Sequence, residues 1–309
     1  MIAVDWGTSS LRAYRLGEDG KVLDKRSAAL GILSVQDGRF AAALEGQIGD
    51  WLDAGEGPVV MSGMIGSRQG WKEAPYAQCP AGLSEIAAAM VRVEWNGRSA
   101  WIAPGLTCRD ESGVADVMRG EEVQILGALD QLAEDDAWIC LPGTHSKWTQ
   151  VTSQRIVRFA TYMTGEVFAV MKAHSILGRM MSEGELDLLA FDGGLSRARD
   201  DGGFLHHLFG VRTRGLFGGL DNTQSAGYLS GLLIGHELRS VPRQSGVVYV
   251  LGAEALAHLY VHALRTRFIP TSVARLFDQR VWPNAQAGAN PAQPQAQVDV
   301  TARMRAMWR

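Results

Sequence analysis

The chain is expected to be an α/β protein of two domains, each an antiparallel meander leading into a parallel core. Three observations predict this. The first hundred residues read as three strands, a helix, a strand, a helix and a strand, an order that builds a mixed sheet with helices packed on it. The second half opens in the same order. A turn of the pattern Gly-Thr-x-Ser follows the first strand of each half, at Gly7-Thr8-Ser9-Ser10 and again 136 residues later at Gly143-Thr144-His145-Ser146. Self-similarity at that distance is a repeat of whole domains, and 309 residues suffice for two cores.

Taken in order, Ile2–Trp6 is a short apolar run that reads as a buried strand. Leu11–Leu16 and Lys21–Ser27 continue as strands, joined by a turn over Gly17–Gly20. Over Phe40–Leu52, the residues Phe40, Leu44, Ile48, Trp51 and Leu52 fall on one helical face. A strand at Pro58–Ser62 runs into the glycine-rich stretch Gly63–Trp71, followed by a helix over Leu83–Val91 and a strand over Ala100–Ala103. Gly120–Gly127 opens a further helix. In the second half the strands are Ala137–Leu141, Trp148–Val151 and Ile156–Ala160, the last two around a Thr152-Ser153-Gln154 turn. A helix over Gly165–Ile176, a loop-rich region, a helix over Ala226–Leu238, a strand over Val247–Leu251 and a helix over Glu254–Leu264 follow. The expected domains are residues 1–115 and 116–309. One more strand and helix would close the second domain after Leu264. Pro283–Gln295 is instead of low complexity, and 283–309 is expected to be a mobile tail.

Composition excludes several classes. With 46% hydrophobic residues, 20% charged residues and a net charge of −3, the chain is an ordinary globular sequence with no general attraction for nucleic acid or an anionic membrane. Cys79, Cys108 and Cys140 lie too far apart for a zinc or disulfide framework. No apolar run approaches the roughly 18 to 20 residues of a membrane span, and no leader pattern opens the chain, so a cytoplasmic location is expected. His258 and His262 are four apart on a helix but lack a third ligand, and read as surface histidines. His206 and His207 read as packing residues, and Trp51, Trp95 and Trp101 as core. Oligomeric state is left open, with a homo-oligomer allowed.

The paired turns carry the chemistry. Gly7 lets the backbone approach a phosphate, and Thr8, Ser9 and Ser10 offer N–H and hydroxyl donors. Asp5, at the strand end, suits Mg²⁺ held through water, and Arg12 adds a cation just beyond. Either turn alone reads equally as an ordinary hairpin; the repetition favours phosphate. In the second copy Leu141 stands where Asp5 does, and Lys147 adds a cation. A nucleotide between the domains would be held at its phosphates from both sides. Neither G-x-x-x-x-G-K-[ST] nor G-x-G-x-x-G occurs.

The strand and turn Asp5–Ser10, the turn Gly143-Thr144 and the late Val250-Leu251-Gly252-Ala253-Glu254 resemble the two phosphate motifs and the adenosine motif of the actin-like ATPase superfamily. More narrowly, Val59–Trp71, Val117–Glu122, Leu141–Trp148 and Leu229–Glu237 resemble the 2-dehydro-3-deoxygalactonokinase family, in order from residue 1 to about 264. The resemblance implies two ribonuclease H-like domains with the active site in the cleft between them. It also implies ATP and Mg²⁺ as cofactors, a small sugar acid as substrate, and phosphorylation of 2-dehydro-3-deoxy-D-galactonate on its 6-hydroxyl. Gly252 and Ala253 would then face the adenosine. Two alternatives are a kinase for another 2-keto-3-deoxy sugar acid and a non-kinase ATPase acting on a protein partner.

Transfer to an alcohol needs a carboxylate to accept the hydroxyl proton. Related glycerol and xylulose kinases carry a Gly-Asp at the place of Gly120-Glu121, so the resemblance makes Glu121 the base, with Glu122 and Asp116 as runners-up. An acidic pair favoured by the helix dipole is the plain alternative. The carboxylate of a keto acid calls for a bidentate cation. Arg68 is the first candidate, with Ser67, Gln69 and Trp71 beside it. Arg119 is the second.

Overall fold

A computed structural model describes residues 1–129, 132, 134–241, 248–268 and 274–277. Its contacts divide the chain into two units. The first comprises Met1–Asp136 with Gln150–Phe159, and the second Ala137–Thr149 with Ala160–Asp278.

In the first unit, strands β1 (Ile2–Trp6), β2 (Leu11–Leu16) and β3 (Val22–Ala28) form the antiparallel meander. Strand β4 (Val59–Ser62) lies parallel to β1 on its other side. Being central, β1 is covered on both faces, which is why its residues form a near-continuous apolar run rather than an alternation. Helix α1 (Phe40–Asp53) turns Phe40, Leu44, Ile48 and Trp51 onto Ile2, Val4 and Trp6 in one core. The short chain α2 (Leu83–Ala88) stops before the expected Val91. Val91–Trp95 is instead strand β6, whose alternating burial and antiparallel pairing with β7 (Arg98–Ile102) override its helical spacing. Strand β5 (Tyr76–Gln78) lies outside this sheet, whose six-stranded order is β3-β2-β1-β4-β7-β6. A small sheet absent from the expected order joins β5 to β8 (Gly105–Arg109) and β9 (Ala115–Met118). It delivers the chain to α3 (Glu121–Ala128).

The second sheet consists of β10 (Asp136–Leu141), β11 (Ser146–Thr152), β12 (Arg155–Tyr162), β13 (Val248–Leu251) and β14 (Ala274–Phe277), ordered β12-β11-β10-β13-β14. Strands β10, β13 and β14 run parallel. The first four strand places of both sheets are therefore the same: third, second, first, fourth. The closing strand expected after Leu264 is β14. The low-complexity stretch and the tail over 283–309 lie outside the described residues.

Helices α4 (Thr164–His174), α5 (Leu188–Arg197), α6 (Gly203–Leu216), α7 (Gln224–Ser240) and α8 (Glu254–Ala263) complete the unit. Thus the region expected to be loop-rich holds two helices. Gly194 of α5 explains the difference: a Cβ there would overlap the Tyr228 carbonyl of α7, so this glycine serves close helix packing, not a turn. Asp187 caps α5 by accepting from the Ala190 N–H at 2.8 Å. Trp51 and Trp95 are buried as expected, and Trp101 is half-buried. Among the described residues no helix is long and apolar enough to cross a membrane.

Candidate active site

The first turn is closed by a Gly7 N–H to Ser10 carbonyl bond of 2.9 Å, and Ile32 N–H donates to the Gly7 carbonyl at 3.0 Å. Gly31 sits so close behind that a Cβ on it would overlap Thr8, which leaves the Thr8 and Ser9 side chains facing solvent. Asp5, the last residue but one of β1, is largely buried with its side chain 21% exposed, and Arg12 Nη1 lies 3.2 Å from Oδ2. Burial raises the Asp5 pKa, while the charge and hydrogen bond of Arg12 pull it down.

Gly63, at positive φ, lies against the end of β1: a Cβ there would stand 3.4 Å from Asp5 Oδ1. Gly120 packs in turn on Gly63, a Cβ standing 3.2 Å from its Cα. The N-terminus of α3 is thereby brought to the side of Asp5. Both glutamates fold back on that terminus. Glu121 Oε2 accepts from the Arg119 N–H at 3.0 Å, and Glu122 takes the Gly120 N–H at 2.9 and 2.7 Å. Glu121 is half-buried, whereas Glu122 is closed to solvent. Asp116 lies on β9 and accepts from the Val117 N–H at 2.7 Å.

Burial pushes the Glu122 pKa up to about 8, the Glu121 charge adds to this, and the Gly120 hydrogen bond opposes it. The folded protein then keeps a proton that the unfolded chain loses near 4.5. Stability from this group is full below that value and lost as pH rises through about 8. Urea unfolding is expected to show stability falling between about pH 5 and about pH 8, by up to roughly 1.4 kcal/mol per pH unit. Glu122→Gln should flatten that slope, and an unchanged slope would refute the assignment.

The acceptor loop separates its candidates. Arg68 is 87% exposed and paired with Glu73 at 3.1 Å, and Gln69 is also exposed. Trp71 packs edge-on against Trp95 with centroids 5.2 Å apart. Arg119 instead turns inward. Its Nη2 donates to the Ala74 carbonyl at 2.8 Å, its guanidinium lies 4.3 Å over the Tyr76 ring, and Nη1 adjoins Gly66. Nε and Nη1 of Arg119 and Oγ of Ser67 are buried without a hydrogen-bond partner among the described residues.

The second turn follows the same plan. Gly165, at the start of α4, approaches so closely that a Cβ would overlap the Gly143 carbonyl, and Glu166 N–H donates to the Thr144 carbonyl at 2.9 Å. Thr144 and His145 are exposed, and His145 Nε2 pairs with Glu166 Oε2. Ser146 and Lys147 already belong to β11 and are buried. Ser146 Oγ meets Tyr260 Oη at 2.8 Å, and Lys147 Nζ donates to Thr161 Oγ1 at 2.7 Å. Gly252 follows β13 beside Pro142, where a Cβ would stand 3.3 Å from the Pro142 carbonyl, and Ala253 precedes α8 on the surface. His207 is buried against His236, His258 is exposed, and His262 bonds Asp192 at 2.8 Å. The sequence reading missed Glu237, which accepts from Trp148 Nε1 at 2.7 Å behind this turn. Its signal is a glutamate in an otherwise apolar helix stretch.

Two sheets that share the order third, second, first, fourth, each with a Gly-Thr turn after its first strand, make this an α/β protein that uses one plan twice. The chain matches the 2-keto-3-deoxy-galactonokinase family over residues 5–282 and belongs to that family. An Escherichia coli (strain K12) relative named 2-dehydro-3-deoxygalactonokinase is 39% identical over 260 residues, covering 83% of this chain and 86% of the relative. A Rhizobium meliloti (strain 1021) protein provisionally given that name is 39% identical over 272 residues, covering 86% and 89%. A crystal structure from Sinorhizobium meliloti, provisionally described in the same way, matches with a TM-score of 0.83 at 34% identity over 99% of both chains.

Proposed function

We propose that this chain transfers the γ-phosphoryl group of ATP to the 6-hydroxyl of 2-dehydro-3-deoxy-D-galactonate, in the cytoplasm. Membership of the kinase family over residues 5–282 carries this reading. The turns at Gly7–Ser10 and Gly143–His145 receive phosphate oxygens through backbone N–H groups and the exposed Thr8, Ser9 and Thr144 hydroxyls. Arg12 adds a positive charge beside the first turn.

The residues present fit Mg²⁺. One partly exposed carboxylate near a strand end beside a phosphate turn suits an ion that binds mainly phosphate oxygens and water, and Asp5 would hold it. Bound there, Mg²⁺ neutralises charge on the phosphates. Glu121 accepts the proton as the 6-hydroxyl oxygen bonds to the γ-phosphorus. The bond from that phosphorus to the β–γ bridging oxygen breaks, and ADP leaves with the electron pair.

We assign the acceptor carboxylate to Arg119 and Ser67, because their buried donors lack partners and such groups are costly to leave unpaired. Arg119→Ala is expected to raise the acceptor KM on the order of tenfold or more and leave that of ATP nearly unchanged. Arg68→Ala should move neither much; a larger effect from Arg68 would reverse the assignment.

The function itself is tested by coupled ADP release with and without 2-dehydro-3-deoxy-D-galactonate. Release that depends on this acid supports the reading. Turnover indifferent to it would return the chain to a non-kinase ATPase, and preference for its glucose-configured epimer would change the substrate.

A further inference from the structure

We propose that Glu237 is the positioning residue of the second phosphate turn, setting its affinity for nucleotide phosphate without touching the nucleotide. The inference rests on the kinase reading above. Glu237 is 4% exposed on α7, and its carboxylate collects donors from three other elements. Trp148 Nε1 of β11 donates to Oε1 at 2.7 Å. Tyr260 Oη of α8 donates to Oε2 at 2.7 Å, and Thr164 Oγ1 at the start of α4 donates to the same oxygen.

Direction runs along the whole chain of bonds. Since Tyr260 spends its proton on Glu237, its oxygen accepts, and Ser146 Oγ at 2.8 Å is the donor. Three protons therefore point at one carboxylate, and a fourth, that of Ser146, reaches it only through Tyr260. Two of them belong to residues that frame the turn. Ser146 follows His145 directly, and Thr164 precedes the Gly165 and Glu166 that pack on Gly143 and bond Thr144. Tyr260 lies on the helix that follows Gly252, the residue beside Pro142 at the turn's other end. A carboxylate only accepts, so it alone satisfies all these donors at once; an amide of the same shape brings N–H groups against two hydroxyls. The hydroxyls must then rotate, and the backbone they anchor loses its set position.

Calorimetric titration with a non-hydrolysable ATP analogue tests this on the full chain. Glu237→Gln should weaken nucleotide binding about tenfold while the acceptor's Kd stays unchanged. Thr164→Val should weaken it in the same selective way, and Thr164→Ser, which restores the hydroxyl, should recover it. Tyr260→Phe decides the matter if Glu237→Gln does not fold. Equal losses for both ligands, or unchanged nucleotide affinity in folded variants, overturn the inference alone. Failure of the unsubstituted chain to bind the analogue overturns the kinase reading and this inference with it.

Discussion

Glu121→Gln is expected to lower kcat by at least about 10²-fold, with both KM values little changed. The amide keeps the size of the side chain and can still accept from the Arg119 N–H, the bond that Glu121 Oε2 makes at 3.0 Å. What it loses is the capacity to take the hydroxyl proton as the oxygen attacks. That split between rate and binding distinguishes a base from a helix-capping acid, whose loss would appear in stability instead. The two runners-up differ in their surroundings. Glu122 is closed to solvent with both oxygens on the Gly120 N–H, so it has no path to a substrate. Asp116 sits on β9 ahead of the Gly120 bend that packs on Gly63 beside Asp5. Steady-state kinetics at saturating ATP and acceptor check the prediction. A kcat within a few-fold of the unsubstituted enzyme would dismiss Glu121 and make Asp116→Asn the next variant.

Asp5→Asn is expected to lower kcat on the order of 10²- to 10³-fold at every Mg²⁺ concentration, a loss of several kcal/mol of transition-state stabilisation. Asparagine preserves the shape near the end of β1 but removes the negative charge that would hold a divalent ion and that faces Arg12 Nη1 at 3.2 Å. A Mg²⁺ titration of turnover measures it; a normal rate restored by saturating Mg²⁺ would reduce Asp5 to an affinity role. Arg12 sets the pH range. Burial raises the Asp5 pKa and Arg12 lowers it, so removing Arg12 raises it further. Because the carboxylate works only when deprotonated, the acid limb of the rate profile should move to higher pH in Arg12→Ala. A shift toward lower pH would contradict the pairing.

Much of this was legible before any coordinates. Asp5, Gly7 and Thr8 stand out because a buried strand that ends in an acid and a glycine is a local pattern, and the match at Gly143-Thr144 is local too. The strands Ile2–Trp6 and Leu11–Leu16 and the helix from Phe40 follow from periodicity, since each buries a face that its own spacing defines. In the loop after β4 the sequence put Arg68 ahead of Arg119, and burial orders them the other way. Only the packing of Ala74, Tyr76 and Gly66 around Arg119 separates an inward guanidinium from one that is 87% exposed. The region after Ile176 reads as loop-rich, yet Gly194 lies in a helix in close contact with α7.

By itself, then, the sequence determined the α/β class, the doubled meander, the two turns and the acid at the end of the first strand, because hydrophobic spacing and turn chemistry act over a few residues. Tertiary structure alone decided that Glu121 is half-buried and Glu122 sealed, that Arg119 and not Arg68 points inward, and that Ser146 is joined through Tyr260 to Glu237. Those outcomes depend on which groups from distant elements surround a side chain, and burial and hydrogen-bond direction are properties of that assembled neighbourhood.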